Sequence, residues 1–185
     1  MAKRTSKVKL LSSETKYTGR VFRVSRDELF EPTGIKAVRE IVTHPGSVVV
    51  LPVFDDGKVL IIRQYRYAAG QFMWELVAGH REPNEDFRRG AARELQEETG
   101  YTARRYRKLL EIYPSPGLLS ERMVIFLAEG LKKGKARPED DEKIEARILT
   151  LSEVERWIRS GKIRDAKSIS GLLYYAAFVR RKRER

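Results

Sequence analysis

The chain has 185 residues, 41% of them apolar, with a formal net charge of +12 and no cysteine. This length suits one domain with at most a small appendage, and the lack of cysteine excludes disulfide and thiolate chemistry. No apolar run approaches the ~18 residues of a membrane-spanning helix, and the basic first residues lack the apolar stretch of a signal peptide, so we expect a cytoplasmic protein.

The two ends of the chain carry much of the positive charge. Basic residues recur between Lys3 and Lys9, and Arg180–Arg185 contains a single acid. Nucleic-acid binding is one interpretation, but no helix-turn-helix, zinc-knuckle or RNA-stacking motif accompanies the charge. A basic surface also attracts a phosphate-bearing small molecule, and we favour that class of partner over nucleic acid.

Residues 1–45 are predicted to form an N-terminal arm and a small β module. Residues 1–13 have the composition of a flexible arm, Tyr17–Val24 is strand-like, and Ile35–Thr43 is the returning strand after the turn signal Pro32-Thr33-Gly34. A module of this size buries little surface alone. It is therefore expected to pack on the main domain or on a second copy of the chain.

Residues 46–185 are predicted to form the main domain. The apolar run Ser47–Phe54, the turn signal Asp55-Asp56-Gly57 and the strand Lys58–Arg66 predict a hairpin that is buried on both faces. The short strand Trp74–Ala78 leads to a helix. The elements after that helix are the strands Tyr106–Tyr113, Met123–Ala128 and Ile144–Thr150, a helix from Ser152 with Glu155 completing a capping box, and a last helix Ser168–Arg181. This mixture predicts a mixed sheet between helices.

The helix predicted from about Glu85 to Thr99 carries an unusual set of acids. Glu94, Glu97 and Glu98 stand at i, i+3 and i+4, which places them on one face. Like charges at this spacing repel, so a helix selected only for stability does not favour them. Mg²⁺ is typically held by one or two carboxylates plus substrate phosphates, so the set suits a hard divalent cation. The alternative is a solvated acidic face.

Glycines and charges stand at fixed positions around these acids. Gly79 is followed after five residues by Glu85 and after seven more by Arg93-Glu94-Leu95-Gln96-Glu97-Glu98-Thr99-Gly100-Tyr101. This pattern resembles the complete signature of the Nudix hydrolases, and so many fixed positions make it a specific signal. The departure is mild, since Tyr101 stands where an aliphatic residue is commoner.

The resemblance implies an α/β fold, the Nudix α/β/α sandwich with a mixed sheet, plus the small N-terminal β module. It also implies hydrolysis of a nucleoside diphosphate linked to another moiety, with water and Mg²⁺ or Mn²⁺. The implied metal contacts are the backbone carbonyl of Ala78 and the side chains of Glu94, Glu97 and Glu98. Arg93 is implied to orient the carboxylates, and Glu85 to be structural or to bind an outer metal.

Residues after the signature resemble one branch of that family, the ADP-ribose pyrophosphatases. Pro116 lies 16 residues after Gly100 and is followed by Gly117 and Glu121. On its own, this is an ordinary Pro-Gly turn. Three further segments support the branch, although Val77 replaces a common proline in the last of them: Arg39-Glu40, Gln64-Tyr65-Arg66 and Trp74–Gly79.

The branch implies that ADP-ribose is hydrolysed to AMP and ribose 5-phosphate. It also implies a homodimer in which the N-terminal module pairs with a second subunit. The implied substrate contacts are Arg39, Glu40, Arg66 and Glu121. The alternatives are another nucleoside diphosphate sugar, such as GDP-mannose or a UDP-sugar, or a non-catalytic Nudix module that binds nucleotides or nucleic acid.

The residue that activates the attacking water is the remaining question. The implied catalytic groups are Glu97, Arg93 and an acid from the loop Arg137–Lys143. Within that loop we choose Glu142, because it lies two residues before Ile144, where the loop glutamate of similar pyrophosphatases falls. Glu139 is the second choice, and a solubilising acidic loop is the alternative to both.

Overall fold

The structure is a computed structural model, and it describes residues 7–136 and 143–180. These residues form two compact units. The first unit holds the described residues up to Gly46 together with Tyr113–Arg122, and the second unit holds the rest. The predicted division at residue 45 assigns Tyr113–Arg122 to the main domain, whereas the structure groups this segment with the N-terminal residues.

The first unit contains a three-stranded antiparallel sheet. Its strands are β1 (Lys9–Thr18), β2 (Arg23–Phe30) and β3 (Lys36–Thr43), in the order β1-β2-β3. Residues of the second segment join the edge of β3, where the backbone of Val42 donates to the carbonyl of Leu118 and accepts from the N–H of Ser120. Glu121 follows directly.

Two predictions for this region are wrong. The described part of the predicted flexible arm, up to residue 13, mostly lies in β1, which begins at Lys9. The single strand predicted over Tyr17–Val24 is instead the end of β1, a connection over residues 19–22 and the start of β2. Every residue of β1 is exposed. A strand with no buried face shows no apolar alternation, so its sequence resembles a polar arm.

The second unit is built on a seven-stranded mixed sheet. Its strands are β4 (Ser47–Val53), β5 (Val59–Arg66), β6 (Gln71–Glu75), β7 (Val77–His80), β8 (Tyr101–Ile112), β9 (Met123–Lys133) and β10 (Glu145–Leu149). The order is β10-β5-β4-β9-β8, with β6 paired to β5 and β7 paired to β4. β4 and β9 are parallel, and the other pairs are antiparallel.

Three helices cover the two faces of this sheet. They are α1 (Phe87–Thr99), α2 (Leu151–Arg159) and α3 (Ala166–Tyr174), which continues into a π-helical turn over Tyr175–Val179. Apolar residues of α1 share one buried cluster with Val48 and Val50, whereas apolar residues of α2 and α3 share another with Val49 and Leu51. The fold class is therefore confirmed as an α/β/α sandwich with a mixed sheet.

The hairpin β4–β5 forms the centre of both clusters. Val48, Val49, Val50 and Leu51 are each fully buried, and successive residues point to opposite faces. Each such side chain contributes roughly 1.5–3 kcal/mol by its burial. The predicted hairpin with two buried faces is confirmed, and it provides a rigid base for the elements beside it.

Several boundaries differ from the predicted ones, including the start of β8 at Tyr101 rather than Tyr106 and the end of β9 at Lys133 rather than Ala128. The strand predicted over Trp74–Ala78 is interrupted at Leu76, because β6 pairs with β5 and β7 pairs with β4. α2 is capped by Thr150, whose capping-box partner is Glu153 rather than Glu155. α3 begins at Ala166 with Asp165 as its cap. In residues 7–136 and 143–180, no helix is long and apolar enough to cross a membrane.

Candidate active site

Residues within the signature segment, Gly79–Tyr101, fix the two ends of α1. The side chain of Asp86 accepts hydrogen bonds from the backbone N–H groups of Arg88 (2.9 Å) and Arg89 (3.0 Å), which satisfies donors that a helix start leaves open. Gly100 ends the helix with a φ of 73°. A Cβ at that position would lie 2.6 Å from the backbone nitrogen of Ala136, so glycine is required.

The three acids of the helix face differ in their surroundings. Glu98 is 5% exposed, and the side chain of Glu94 is 12% exposed, whereas that of Glu97 is 41% exposed. Burying a carboxylate is costly unless an ion or hydrogen bonds compensate for it. Glu94 and Glu98 are therefore the two more deeply buried acids of this helix face, and Glu97 is the most exposed one.

Arg93 holds the cluster of acids together. Its Nη1 lies 2.7 Å from Oε1 of Glu94 and 2.9 Å from Oε2 of Glu97, and its Nε lies 3.1 Å from Oε1 of Glu85. Its Nη2 donates to the carbonyl of His80 at 3.0 Å. Burial by itself lowers the pKa of Arg93, but the bond to Glu85 and the charge of Glu94 raise it well above its usual range. This guanidinium is fully charged and orients its carboxylate partners.

Glu85 links the loop before the helix to the helix itself. Its side chain is 11% exposed, and its Oε2 accepts a hydrogen bond from the backbone N–H of Glu82. Burial raises the pKa of Glu85, but the hydrogen bond from Arg93 outweighs burial, so the pKa lies below the usual value. Gly90 leaves room for this carboxylate, since a Cβ there would lie 2.9 Å from its Oε2.

Gly79 permits a close approach between β7 and α1. In β7, Ala78 is opposite Val49 and Gly79 is opposite Val48 of β4. A Cβ at Gly79 would overlap both oxygens of the Glu94 carboxylate, so only glycine leaves space for that side chain. The carboxylate of Glu94 therefore lies directly against the backbone that follows Ala78.

This donor set fits a divalent metal ion. Carboxylate and carbonyl oxygens are the ligands that hard divalent cations prefer, and Ala78, Glu94 and Glu98 supply both kinds. In the described part of the chain, no three Asp, Glu or His side chains converge on one metal position. A metal held here therefore needs backbone or substrate oxygens as well, which is usual for Mg²⁺.

The packing at Gly79 allows a sharp prediction. In Gly79→Ala, the new methyl group collides with the flexible end of the Glu94 side chain rather than with backbone. We expect the free energy of unfolding to change by less than about 1 kcal/mol, since a side-chain end moves easily. Divalent-metal affinity should fall about 10-fold or more, because a displaced ligand no longer meets the ion. Titration with Mn²⁺ measures this.

The control variant is Gly117→Ala, because a Cβ at Gly117 has no heavy atom within 4 Å. It should bind Mn²⁺ with wild-type affinity. Wild-type affinity in Gly79→Ala as well would show that the position of the Glu94 carboxylate does not matter for metal binding.

Arg66 lies at the end of β5 beside a buried acid. Its Nε and Nη2 each donate to one oxygen of Glu75 at 2.9 Å, and Glu75 is 1% exposed. The hydrogen bonds that Arg66 donates to Glu75 raise the pKa of Arg66 above its usual value, and the charge of Glu98 adds to this. The structure thus brings Arg66 within electrostatic reach of a predicted metal ligand.

The sequence did not single out Glu75 and Lys167, which are both buried. Nζ of Lys167 lies 2.5 Å from Oε2 of Glu75, across 92 residues of sequence. Burial raises the pKa of Glu75, but the bond from Arg66 and the charge of Lys167 bring it below its usual value. Glu75 belongs to the segment Trp74–Gly79, which resembles the ADP-ribose pyrophosphatases. No residue next to Lys167 in the sequence distinguishes it from a surface lysine.

Gln64 is a second buried polar residue on β5. It is 5% exposed, and its Nε2 has no hydrogen-bond partner within the described residues. Because alternate residues of a strand share a face, Gln64 lies on the same side of the sheet as Arg66. This strand therefore offers a neutral donor next to a charged one.

Three of the implied substrate contacts belong to the first unit. Arg39 and Glu40 are exposed on β3, where Arg39 pairs with Glu31 and donates to the carbonyl of Val38 at 2.9 Å. Glu121 is 8% exposed, and its Oε1 lies 3.8 Å from Nδ1 of His44. The implied loop acids, Glu142 and Glu139, lie outside the described residues.

The protein family follows from the comparison with known proteins. Residues 43–170 match the NUDIX domain, so the chain belongs to the Nudix family. Pyrophosphatases of this family generally need a divalent metal ion, in agreement with the oxygen donors around α1.

Similar proteins of known name cover most of the chain. It is 36% identical to the ADP-ribose pyrophosphatase of Bacillus subtilis (strain 168), over 90% of this chain and 91% of that one. It is 34% identical to the methanol dehydrogenase activator of Bacillus methanolicus, over 90% and 91%. It is also 34% identical to the ADP-ribose pyrophosphatase of Mycobacterium tuberculosis, over 88% and 80%. A crystal structure of an ADP compounds hydrolase matches with a TM-score of 0.84 at 23% identity, covering 98% of each chain, which supports the fold.

Proposed function

We propose that this protein hydrolyses the pyrophosphate of ADP-ribose. Water adds across the P–O–P linkage, so the products are AMP and ribose 5-phosphate. The observation that carries the proposal is the intact ionic cluster on α1, in which Arg93 contacts Glu85, Glu94 and Glu97 while Glu98 lies buried beside them. The names of two similar proteins support ADP-ribose as the substrate.

Mg²⁺ is the metal we propose, with Mn²⁺ as a substitute. The carbonyl of Ala78 and the carboxylates of Glu94 and Glu98 would hold it, with Glu97 on the outer side. When bound, such an ion neutralises phosphate charge and lowers the pKa of a bound water. Arg93 keeps the acids oriented through its fixed fork of donors. We propose that Arg66 supplies a charged donor to the substrate.

We further propose a cytoplasmic homodimer in which residues 1–45 provide the dimer contact and residues 46–185 form the hydrolase domain. The exposed apolar residues of the first unit support this, since Leu10, Phe22 and Val38 are each more than 40% exposed. In the proposed dimer, Arg39, Glu40 and Glu121 contact the substrate together with Arg66. Light scattering at micromolar concentration should give twice the chain mass, and a monomer would contradict the proposal.

A substrate panel tests the activity. ADP-ribose, GDP-mannose and a UDP-sugar are incubated with the protein and Mg²⁺, and phosphate released after phosphatase treatment is measured. ADP-ribose should give the highest kcat/KM, and EDTA should abolish the signal. A higher kcat/KM for GDP-mannose or the UDP-sugar would contradict ADP-ribose as the preferred substrate, but not the hydrolysis of a pyrophosphate. Salt-sensitive RNA binding without hydrolysis would instead favour a non-catalytic module.

The loop acid has its own test. Glu142→Gln should lower kcat about 10-fold or more with little change in KM, because the variant can no longer take a proton from the attacking water. Glu139→Gln is the matched control in the same loop and should keep the wild-type kcat. The reverse result would assign the role to Glu139, and normal rates in both variants would leave water activation to the metal and the acids of α1.

A further inference from the structure

We propose that Lys167 is a positioning residue for substrate binding, which neutralises buried Glu75 and so keeps the outer edge of Arg66 available to a phosphoryl group. The proposal rests on the proposed function, in which Arg66 contacts the substrate. Lys167 lies on α3, and its action reaches the substrate only through Glu75 and Arg66.

The contacts of Lys167 define a buried ionic network. Its side chain is 9% exposed, and its Nζ lies 2.5 Å from Glu75 and 2.9 Å from Oδ2 of Asp165. Asp165 also caps α3 by accepting a hydrogen bond from the backbone N–H of Ser168 at 3.0 Å. The hydroxyl of Ser168 in turn accepts from the N–H of Leu76 at 2.7 Å. The start of α3 is thereby joined to the strand end that carries Glu75.

The guanidinium of Arg66 is only partly used by this network. An arginine has five N–H donors in one plane. Two of them, on Nε and Nη2, bind the two oxygens of Glu75, and no further bond to Arg66 exists within the described residues. Both donors on Nη1 and one on Nη2 remain. One N–H from each of these two nitrogens forms the end of the guanidinium, an edge that matches a phosphate. The side chain is 38% exposed, so a ligand can reach it.

The balance of charge explains why the lysine is needed. Arg66 and Lys167 carry two positive charges, and Glu75 and Asp165 carry two negative ones, so the network is neutral. Without Lys167, one guanidinium would face two carboxylates, with the charge of Glu98 also within its reach. That arrangement repels a phosphate. Glu75 would also remain buried with a single cation, and Arg66 would turn inward to compensate.

The experiment measures KM and kcat for ADP-ribose at saturating Mg²⁺, and equilibrium binding of ADP-ribose by calorimetry in EDTA. Lys167→Met should raise KM and the dissociation constant about 10-fold, in keeping with the loss of one well-aligned charged hydrogen bond. The value of kcat and the Mg²⁺ concentration for half-maximal rate should stay within about 3-fold of wild type. Lys162→Met is the control, because it removes the same charge from an exposed lysine that lies over Trp157.

A double-mutant cycle separates positioning from a merely structural role. Arg66→Ala should weaken binding, and adding Lys167→Met to it should cause no further loss, because Lys167 acts only through Arg66. The inference would be overturned if the two substitutions raised the dissociation constant independently, so that their factors multiplied in the double variant. Wild-type affinity in Lys167→Met would overturn it as well. If wild-type protein does not hydrolyse ADP-ribose, the proposed function fails instead.

A second variant covers the case in which Lys167→Met does not fold. Glu75→Gln combined with Lys167→Met removes both buried charges together, so no unpaired charge is left in the interior. This variant should fold, as shown by its melting curve, and should bind ADP-ribose within about 3-fold of wild type, because the charges of Arg66 and Asp165 still balance and no excess carboxylate draws Arg66 inward. A loss of affinity of about 10-fold or more in this folded variant would overturn the inference, since Lys167 would then act by a route other than neutralising Glu75.

Discussion

Glu98→Gln is expected to lower kcat for ADP-ribose by roughly 1000-fold, the scale on which a metal ion stabilises charge in a transition state. Glu98 is 5% exposed, and glutamine keeps its shape while removing its charge. The folded state should be at least as stable as wild type, because a buried charge costs free energy. Glu94→Gln should act in the same direction, since the Glu94 carboxylate lies against the backbone of Gly79.

The matched control for both variants is Glu82→Gln. Glu82 also faces Arg93, but at 3.8 Å and with 62% of its side chain exposed, so it contributes little. Its turnover should stay near wild type. Mn²⁺ titration should show weaker metal binding in Glu94→Gln and Glu98→Gln only. Near-normal turnover in both of these variants at saturating Mg²⁺ would rule the two acids out as metal ligands.

The central helix was predictable because its signals are local. A helix was expected from about Glu85 to Thr99, and α1 spans Phe87–Thr99. The capping acid Asp86 and the terminal Gly100 stand next to the residues whose backbone they satisfy. The placement of three acids on one face follows from helix geometry alone. Their unequal burial does not, because it depends on the strand that packs beside each one.

Features that depend on distant partners could not be predicted. Lys167 is buried beside Glu75, a carboxylate that lies 92 residues away in the sequence. The interruption at Leu76 arises because β6 and β7 pair with different neighbours, which the apolar run Trp74–Ala78 does not reveal. β1 has no buried face, so no periodicity marks it. In each case the decisive interaction lies outside the window that a sequence pattern covers.

Arg93→Met is expected to lower the free energy of unfolding at pH 7 by about 2–3 kcal/mol and turnover by about 100-fold. The change removes the cation that lies within 3.1 Å of Glu85, Glu94 and Glu97 at once. The remaining carboxylates repel one another and lose their orientation. Arg93→Lys keeps the charge but cannot bind all of these acids together, so it should fall between wild type and Arg93→Met.

The destabilisation in Arg93→Met should depend on pH in a defined direction. The pKa of Glu85 in the folded protein lies below its unfolded value of 4.5, chiefly because Arg93 outweighs the effect of burial. The stability that this lowered pKa contributes is fully present above about pH 4.5 and is lost as the pH falls toward the folded pKa. Arg93→Met removes most of it, so the gap in unfolding free energy between wild type and variant should be widest at neutral pH and should narrow below about pH 4.5. Urea unfolding at pH 7, 5 and 3.5 measures that gap.

Arg89→Met is the control, because Arg89 is an exposed arginine of the same helix that contributes less to the pKa of Glu85. A gap for Arg93→Met that is independent of pH would show that its destabilisation is due to lost packing rather than to the charges of the acidic cluster.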